Sequence, residues 1–155
     1  MIPTMIEAHL RLRHQGFEHH THSAAMTAQD LAAAEHVSGR RVAKPVVITI
    51  DGQFAIAVVA ASERVNLGAL EEATGRRAEL APEALFAQQF EPCEPGAQPP
   101  LALFGLPIFA DQKLEQERWL VMPGGTHEDA IVLDTYEWMN CEKVQAIANL
   151  GVRVR

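Results

Sequence analysis

The chain has 155 residues, 48% of them hydrophobic, and a net charge of −7 with histidine neutral. That length suits one compact domain with a core of ordinary size, so residues 1–155 are expected to form a single unit. No apolar run approaches the roughly 20 residues needed to cross a bilayer, and the acidic balance opposes DNA binding or general coating of RNA, which draw on phosphate neutralisation by Lys and Arg.

Met1 to Arg13 contains Glu7, His9, Arg11 and Arg13 without an apolar centre, so it does not read as a secretory signal and a cytoplasmic location is expected. Within it, Thr4 to Arg13 predicts a short helix with Met5, Ile6, Leu10 and Leu12 partly inward. Gln15-Gly16 is a breaker, followed by a polar extended stretch to His22. Thr27 with Asp30 three residues on marks a helix start, because a Thr side chain satisfies a free backbone N–H. This helix carries Leu31 to Ala34 and is expected to end near Ser38-Gly39.

Val42 to Ile50 and Phe54 to Ala60 are rich in β-branched residues, and Asp51-Gly52 lies between them, which is a strong hairpin signal. Pro45 lacks the N–H that a ladder requires and so implies an edge or a bulge. Asn66 caps a helix through Leu67, Leu70 and Ala73, closed by Gly75, and Pro82 opens another to about Phe90. Glu91 to Pro107 is a proline-rich loop, long for a compact domain and therefore a place to look for function. Strands are expected at Leu106 to Phe109, Trp119 to Met122 and Ala130 to Leu133, then a helix from Asp134-Thr135 carrying Trp138, Val144, Ile147 and Leu150 to Gly151. Irregular interleaving with a tight hairpin gives an α+β (mixed α/β) fold.

Cys93 and Cys141 are too few and too distant for a disulfide framework or a CxxC metal pair. They read as structural, with a reactive Cys93 thiol as the alternative. Among the basic residues, Arg40, Arg41, Arg64, Arg76 and Arg77 can form a local cluster for an RNA end, and Arg153 and Arg155 a short basic tail. Each can equally be a solvated charge.

Three features can carry chemistry. Gly124-Gly125-Thr126-His127 lies between apolar strands; paired glycines permit a sharp turn and a close ligand approach, and a following histidine can move protons near neutral pH. The same residues also read as a plain hairpin turn with an exposed histidine. Lys44 lies among Val42, Ala43, Pro45 and Val46, where it either snorkels from an edge strand or presents its ammonium to a phosphate or oxyanion. His14, His19, His20 and His22 raise a transition-metal reading, but no Cys/His pair follows downstream and there is no HExxH signature. GxSxG, Walker and GxGxxG motifs are absent, so any catalysis uses positioning and backbone donors.

Taken in order, several segments resemble the YbaK family, also called the prolyl-tRNA-synthetase-associated or aminoacyl-tRNA deacylase domain family. They are His22-Ser23-Ala24-Ala25-Met26-Thr27-Ala28-Gln29, Gly39 to Lys44, Cys93 to Pro100, Gly105 to Asp111 and Gly125-Thr126-His127. The resemblance spans about Phe17 to Gly151. It implies a mixed, largely antiparallel sheet of about six or seven strands flanked by helices. It also implies hydrolysis of the ester joining a small, wrongly attached amino acid to the tRNA 3′ end, a second sieve needed because a methyl or hydroxyl gives only ~1–3 kcal/mol of discrimination.

Carried over residue by residue, the resemblance makes Lys44 and His127 the catalytic pair: Lys44 holds the terminal nucleotide, and His127 orients the aminoacyl group or a water. His22, Thr27, Pro100, Gly105 and Thr126 bind substrate, and backbone groups of Gly96, Gly124 and Gly125 polarise the carbonyl. No metal or organic cofactor is implied. The partners are the aminoacyl-tRNA 3′ end and, further, an aminoacyl-tRNA synthetase, with neither membrane nor DNA. Pro45 after the lysine and Ala102 after Pro99-Pro100 depart from the family pattern. They support a second reading, a catalytically altered module that binds a small molecule, an RNA end or a synthetase.

Overall fold

The computed structural model describes residues 1–154, so Arg155 of the basic tail lies outside the described residues. The chain opens with helix α1 (Thr4–Leu12), strand β1 (Phe17–Thr21) and helix α2 (Ala28–Ala34). Next come β2 (Ala43–Ile50), β3 (Gln53–Ala60), β4 (Glu63–Val65), α3 (Leu67–Thr74) and β5 (Ala78–Leu80). After α4 (Glu83–Phe86) and the proline-rich segment follow β6 (Ile108–Asp111), β7 (Trp119–Pro123), β8 (Asp129–Asp134), α5 (Thr135–Cys141), β9 (Gln145–Ile147) and β10 (Gly151–Arg153).

The strands form three ladders. One has the order β5-β2-β3-β6-β9, the second β1-β8-β7, and β10 pairs with β4. All pairings are antiparallel except β3 with β6 and β6 with β9. The result is the expected α+β, largely antiparallel architecture. A single bridge from Val42 to Val121 joins the start of β2 to β7, which brings Lys44 beside the strand leading into the double-glycine turn.

Alternation along β2 and β3 divides the core, because successive side chains of a strand point to opposite faces. Val47, Ile56 and Val58 pack with Leu120, Met122 and Ile131 of the three-stranded ladder and with Ile6 and Leu10 of α1. Ile48, Ile50, Ala57 and Val59 pack on the other face, against Leu70 of α3 and Leu150. A third cluster seats Leu31 and Ala32 of α2 on Val42, Val121 and Val132.

The Asp51-Gly52 hairpin forms as expected, with φ of 50° and 81° at the two central residues. Positive φ at both positions matches the twist of the flanking strands. Pro45 stays in regular register opposite Val58 without a bulge. Strand β5 covers β2 only from Ile48 to Ile50, so Pro45 lies on an uncovered stretch that needs no N–H donor.

Two boundaries differ from expectation. Helix α2 stops at Ala34, because His36 turns left-handed (φ 56°) and Ser38 caps a separate short 3-10 turn at Gly39–Arg41. Histidine is one of the residues that tolerates this region. Helix α5 ends at Cys141 and does not reach Gly151. Lys143 (φ 53°) and Asn149 (φ 61°) turn the chain, and Ile147 and Leu150 reach the core from a strand and a turn.

Two residues of this closing region anchor the proline-rich loop. The Trp138 side chain is fully buried, and its Nε1–H donates to the Pro100 carbonyl at 2.9 Å. Glu142, 2% exposed, accepts from the Ala102 N–H at 2.7 Å and from Gln15 Nε2 at 2.8 Å, and contacts His9 Nε2 at 2.7 Å. Trp138→Ala is expected to cost about 3–5 kcal/mol and to lower the melting temperature by roughly 10 °C. Trp138→Phe keeps most of the packing and is expected to lose only about 1 kcal/mol with the hydrogen bond. Thermal unfolding followed by circular dichroism checks both, and equal losses for the two variants would refute this division.

Candidate active site

A cavity of about 60 Å³ opens where the start of β2, the α2 N-terminus, the proline-rich loop and the β7–β8 turn meet. Lys44, His127, His22, Thr27, Gly96 and Thr126 all line it. Lys44 and His127, from distant parts of the chain, thus share one small space. Ala25, Met26, Leu31, Val42 and Pro45 supply apolar walls.

The His127 position is fixed by a reciprocal staple between the turn and the loop. The His127 N–H donates to the Glu94 carboxylate at 2.6 Å, the Glu94 N–H to the Gly125 carbonyl at 2.8 Å, and the Gly125 N–H to the Ala97 carbonyl at 2.8 Å. The His127 carbonyl accepts from the Ala25 N–H at 2.8 Å, joining the segment before α2 to the same turn. Gly96, with φ of 86°, lies against the imidazole: a Cβ there would sit 3.7 Å from His127 Cε1.

Beneath the turn is Asp129, 1% exposed. Its carboxylate accepts from Thr126 Oγ1 at 2.5 Å and from the Met1 amino group at 3.0 Å, and meets His19 Nε2 at 2.5 Å. Burial pushes this carboxyl up, but those hydrogen bonds and the amino charge outweigh it and hold the group at about 2. Nothing in the sequence singled out Asp129 except its place three residues after Thr126. Glu94 gave no signal at all.

The remaining expected site residues divide in two. The Lys44 ammonium is anchored on the carbonyls of Ala61 (3.5 Å) and Glu63 at the β3–β4 turn, and burial lowers its affinity for a proton while the Glu63 charge opposes that shift. His22 donates through Nδ1 to the Ser23 carbonyl at 2.7 Å, while its Nε2 is buried without a partner. In the neutral ring that fixes Nε2 as an acceptor. Thr27 caps α2 by accepting from the Asp30 N–H at 3.1 Å.

Pro100, Gly105, Gly124 and Gly125 do not line the cavity. The Gly124 N–H donates to the Asp129 carbonyl, and those of Gly125 and Gly96 to Ala97 and to the Gln98 side chain, so none of the three serves an ester carbonyl in this arrangement. A side chain at Gly125 would meet Pro3 Cδ at 2.6 Å and Ile6 Cδ1 at 2.9 Å. The double glycine therefore lets the turn pack under the N-terminal segment. Ala102 points its N–H at Glu142, away from the site.

Cys93 is buried, and burial raises its thiol to about 11, which rules out the reactive reading. The N-terminal histidines are dispersed: His19 faces Asp129, His20 faces Glu35 at 2.6 Å and His22 faces Ser23. No group of three or more His, Cys, Asp or Glu side chains gathers in a metal-binding arrangement among the described residues.

The acid dependence of stability follows from Asp129. A carboxyl held below its ordinary value stabilises the fold above that value and loses the contribution as pH falls toward about 2. Asp129→Asn is expected to lower the melting temperature at neutral pH and to flatten its decline between about pH 4 and pH 2. Parallel melting curves for the two proteins across that range would contradict it.

Residues 22–141 match the aminoacyl-tRNA editing domain family. No curated protein matches the sequence significantly. Among solved structures, a hypothetical protein superposes with a TM-score of 0.86 at 18% identity, covering 95% of this chain and 99% of its own. A candidate trans-editing enzyme for prolyl-tRNA synthetase gives 0.79 at 19% identity, with 91% of each chain covered. A candidate signal-transduction protein from Marinobacter aquaeolei gives 0.77 at 13% identity over 98% of this chain and 31% of that one. These similarities concern the fold, and no described helix is long and apolar enough to cross a membrane. On its match over residues 22–141, the chain belongs to the aminoacyl-tRNA editing domain family.

Proposed function

We propose that this protein hydrolyses the ester of a small, mischarged amino acid on the 3′ end of tRNA, acting in trans. The observation that carries this reading is that Lys44, His127 and the unpartnered Nε2 of His22 border one cavity of about 60 Å³. A water molecule occupies about 30 Å³ in the liquid. The space therefore suits an alanine-, serine- or cysteine-sized side chain and excludes larger ones.

In the proposed reaction the aminoacyl group enters the cavity with its α-ammonium donating to His22 Nε2. The His127 imidazole, positioned by the staple to Glu94, orients a water on the ester carbonyl. The water oxygen bonds to the carbonyl carbon, and the bond to the ribose oxygen breaks. The products are a free amino acid carboxylate, a ribose hydroxyl and one released proton. Lys44 exchanges its backbone carbonyl partners for the anionic end of the terminal nucleotide and stabilises negative charge that develops in the transition state. No metal and no organic cofactor enter this scheme, and a synthetase is a partner only where it delivers the mischarged tRNA.

Deacylation of a panel of mischarged tRNAs tests the proposal. Alanine-, serine- or cysteine-charged substrates are expected to react fastest, and Lys44→Ala and His127→Ala are each expected to lower kcat/KM by about 100-fold or more. Activity that survives both substitutions would reject the site. Retained tRNA binding with no hydrolysis of any substrate would favour a non-catalytic binding module.

His22→Ala removes an acceptor for a charged donor, worth about 1.5–3 kcal/mol, and is expected to raise KM by roughly 10- to 100-fold with a smaller change in kcat. Steady-state kinetics decides this, and a loss confined to kcat would assign His22 another role.

A further inference from the structure

A second concavity, of about 190 Å³, lies immediately beside the Lys44 ammonium. Arg40, Ser62, Glu63, Lys113, Glu117 and Arg153 are among the residues that line it. Glu63 connects the two places, since its carbonyl holds Lys44 Nζ while the residue itself lines the cleft. The fold assembles the cations from separate elements. Arg40 belongs to the 3-10 turn before β2, Lys113 follows β6, and Arg153 stands opposite Glu63 in the β10–β4 ladder.

The carboxylates of this cleft are already engaged. Glu63 pairs with Lys113 at 2.5 Å, and Glu117 pairs with Arg41 at 3.1 Å. Arg40 and Arg153, both exposed, have no carboxylate partner among the described residues. Elsewhere the arginines are largely neutralised: Arg11 by Glu7, Arg76 by Asp51 and Arg77 by Glu79. In a chain of net charge −7, two free guanidinium groups facing one cleft are a local reversal of sign.

We infer that this cleft binds the phosphodiester backbone of the single-stranded end of tRNA, holding it by charge and not by base sequence. The inference rests on the proposed reading of the Lys44 cavity. An ester seated there has its terminal nucleotide at Lys44, and the strand leaving that nucleotide meets the adjoining cleft. The planar forks of Arg40 and Arg153 suit phosphate oxygens, which accept paired N–H donors. Lys113 contributes a third positive charge, tempered by Glu63. An acidic polypeptide is the competing occupant, and it has no reason to lie next to a cavity for an ester at the end of a nucleic acid.

The test uses the full chain and an uncharged, fluorescently labelled RNA hairpin with a single-stranded CCA end, with binding followed by anisotropy over a range of salt. Arg40→Gln/Arg153→Gln is compared with Arg76→Gln/Arg77→Gln, which removes the same charge at the opposite end of β2. Circular dichroism verifies that both are folded. The cleft variant is expected to bind at least about 10-fold more weakly at low salt, with a log–log salt slope smaller by about 1. The control variant is expected to behave as the unmodified protein. Equal weakening in both variants, or in neither, would overturn the inference. So would a polyglutamate peptide that binds more tightly than the hairpin through the same two arginines. Because the measurement reads binding alone, it remains decisive if no ester is hydrolysed, and its failure leaves the Lys44–His127 chemistry standing.

Discussion

The site depends on one constraint: the β7–β8 turn and the proline-rich loop are stapled to each other through their backbones. Glu94 donates its N–H to Gly125 and receives the His127 N–H on its carboxylate, while Ala97 receives the N–H of Gly125. These bonds join residues 28 to 33 positions apart, so neither segment has its shape without the other. Asp129 completes the arrangement from below by holding Thr126 and His19. A catalytic histidine on a loop is useful only if the loop is over-determined, since a misplacement of about 1 Å can cost a hundredfold in rate. Here the necessary rigidity comes from hydrogen bonds between two irregular segments and from α1 packing against the Gly124-Gly125 backbone.

That arrangement explains which parts of the molecule were legible in the sequence. Elements with strong local signals formed where expected: the Thr27 and Asn66 caps, the Asp51-Gly52 hairpin and the left-handed Gly75. Each is a local solution to unsatisfied backbone groups or a required φ, readable within a few residues. The short strands β4, β5 and β9 and the terminal β10 were not. A three-residue strand lacks a full cycle of alternation, and its existence depends on a neighbour contributed from far along the chain. The final segment misled for a related reason. Val144, Ile147 and Leu150 recur at helical spacing, but Lys143 and Asn149 adopt left-handed turns that break the helix.

The candidate site shows the same division. Lys44, His127, His22, Thr27, Gly96 and Thr126 came from motif order and meet at one cavity. The glycines were misread in role, though not in importance. A double glycine announces a backbone that something approaches closely, and sequence cannot say whether that is a ligand or a proline. At Gly125 it is Pro3 and Ile6. Pro45 and Ala102, the two departures from the family pattern, also resolve structurally. The first lies on an uncovered stretch of β2 and lines the cavity, and the second turns its N–H toward Glu142. Neither forces Lys44 away from His127.

An acidic protein that acts on a nucleic acid must localise its attraction. General phosphate neutralisation is unavailable at a net charge of −7, so affinity has to be concentrated where the reactive end lies. The charge pairing meets that requirement by subtraction: carboxylates neutralise arginines at α1 and at the α3–β5 turn, and leave Arg40 and Arg153 free next to Lys44. Discrimination among amino acids then falls to the cavity, whose apolar walls at Ala25, Leu31 and Val42 act by exclusion. Exclusion by size is the stronger principle for a second sieve. A missing methyl costs a binding site only ~1–3 kcal/mol, whereas an extra one that must be forced into a rigid wall meets repulsion from side chains with nowhere to move.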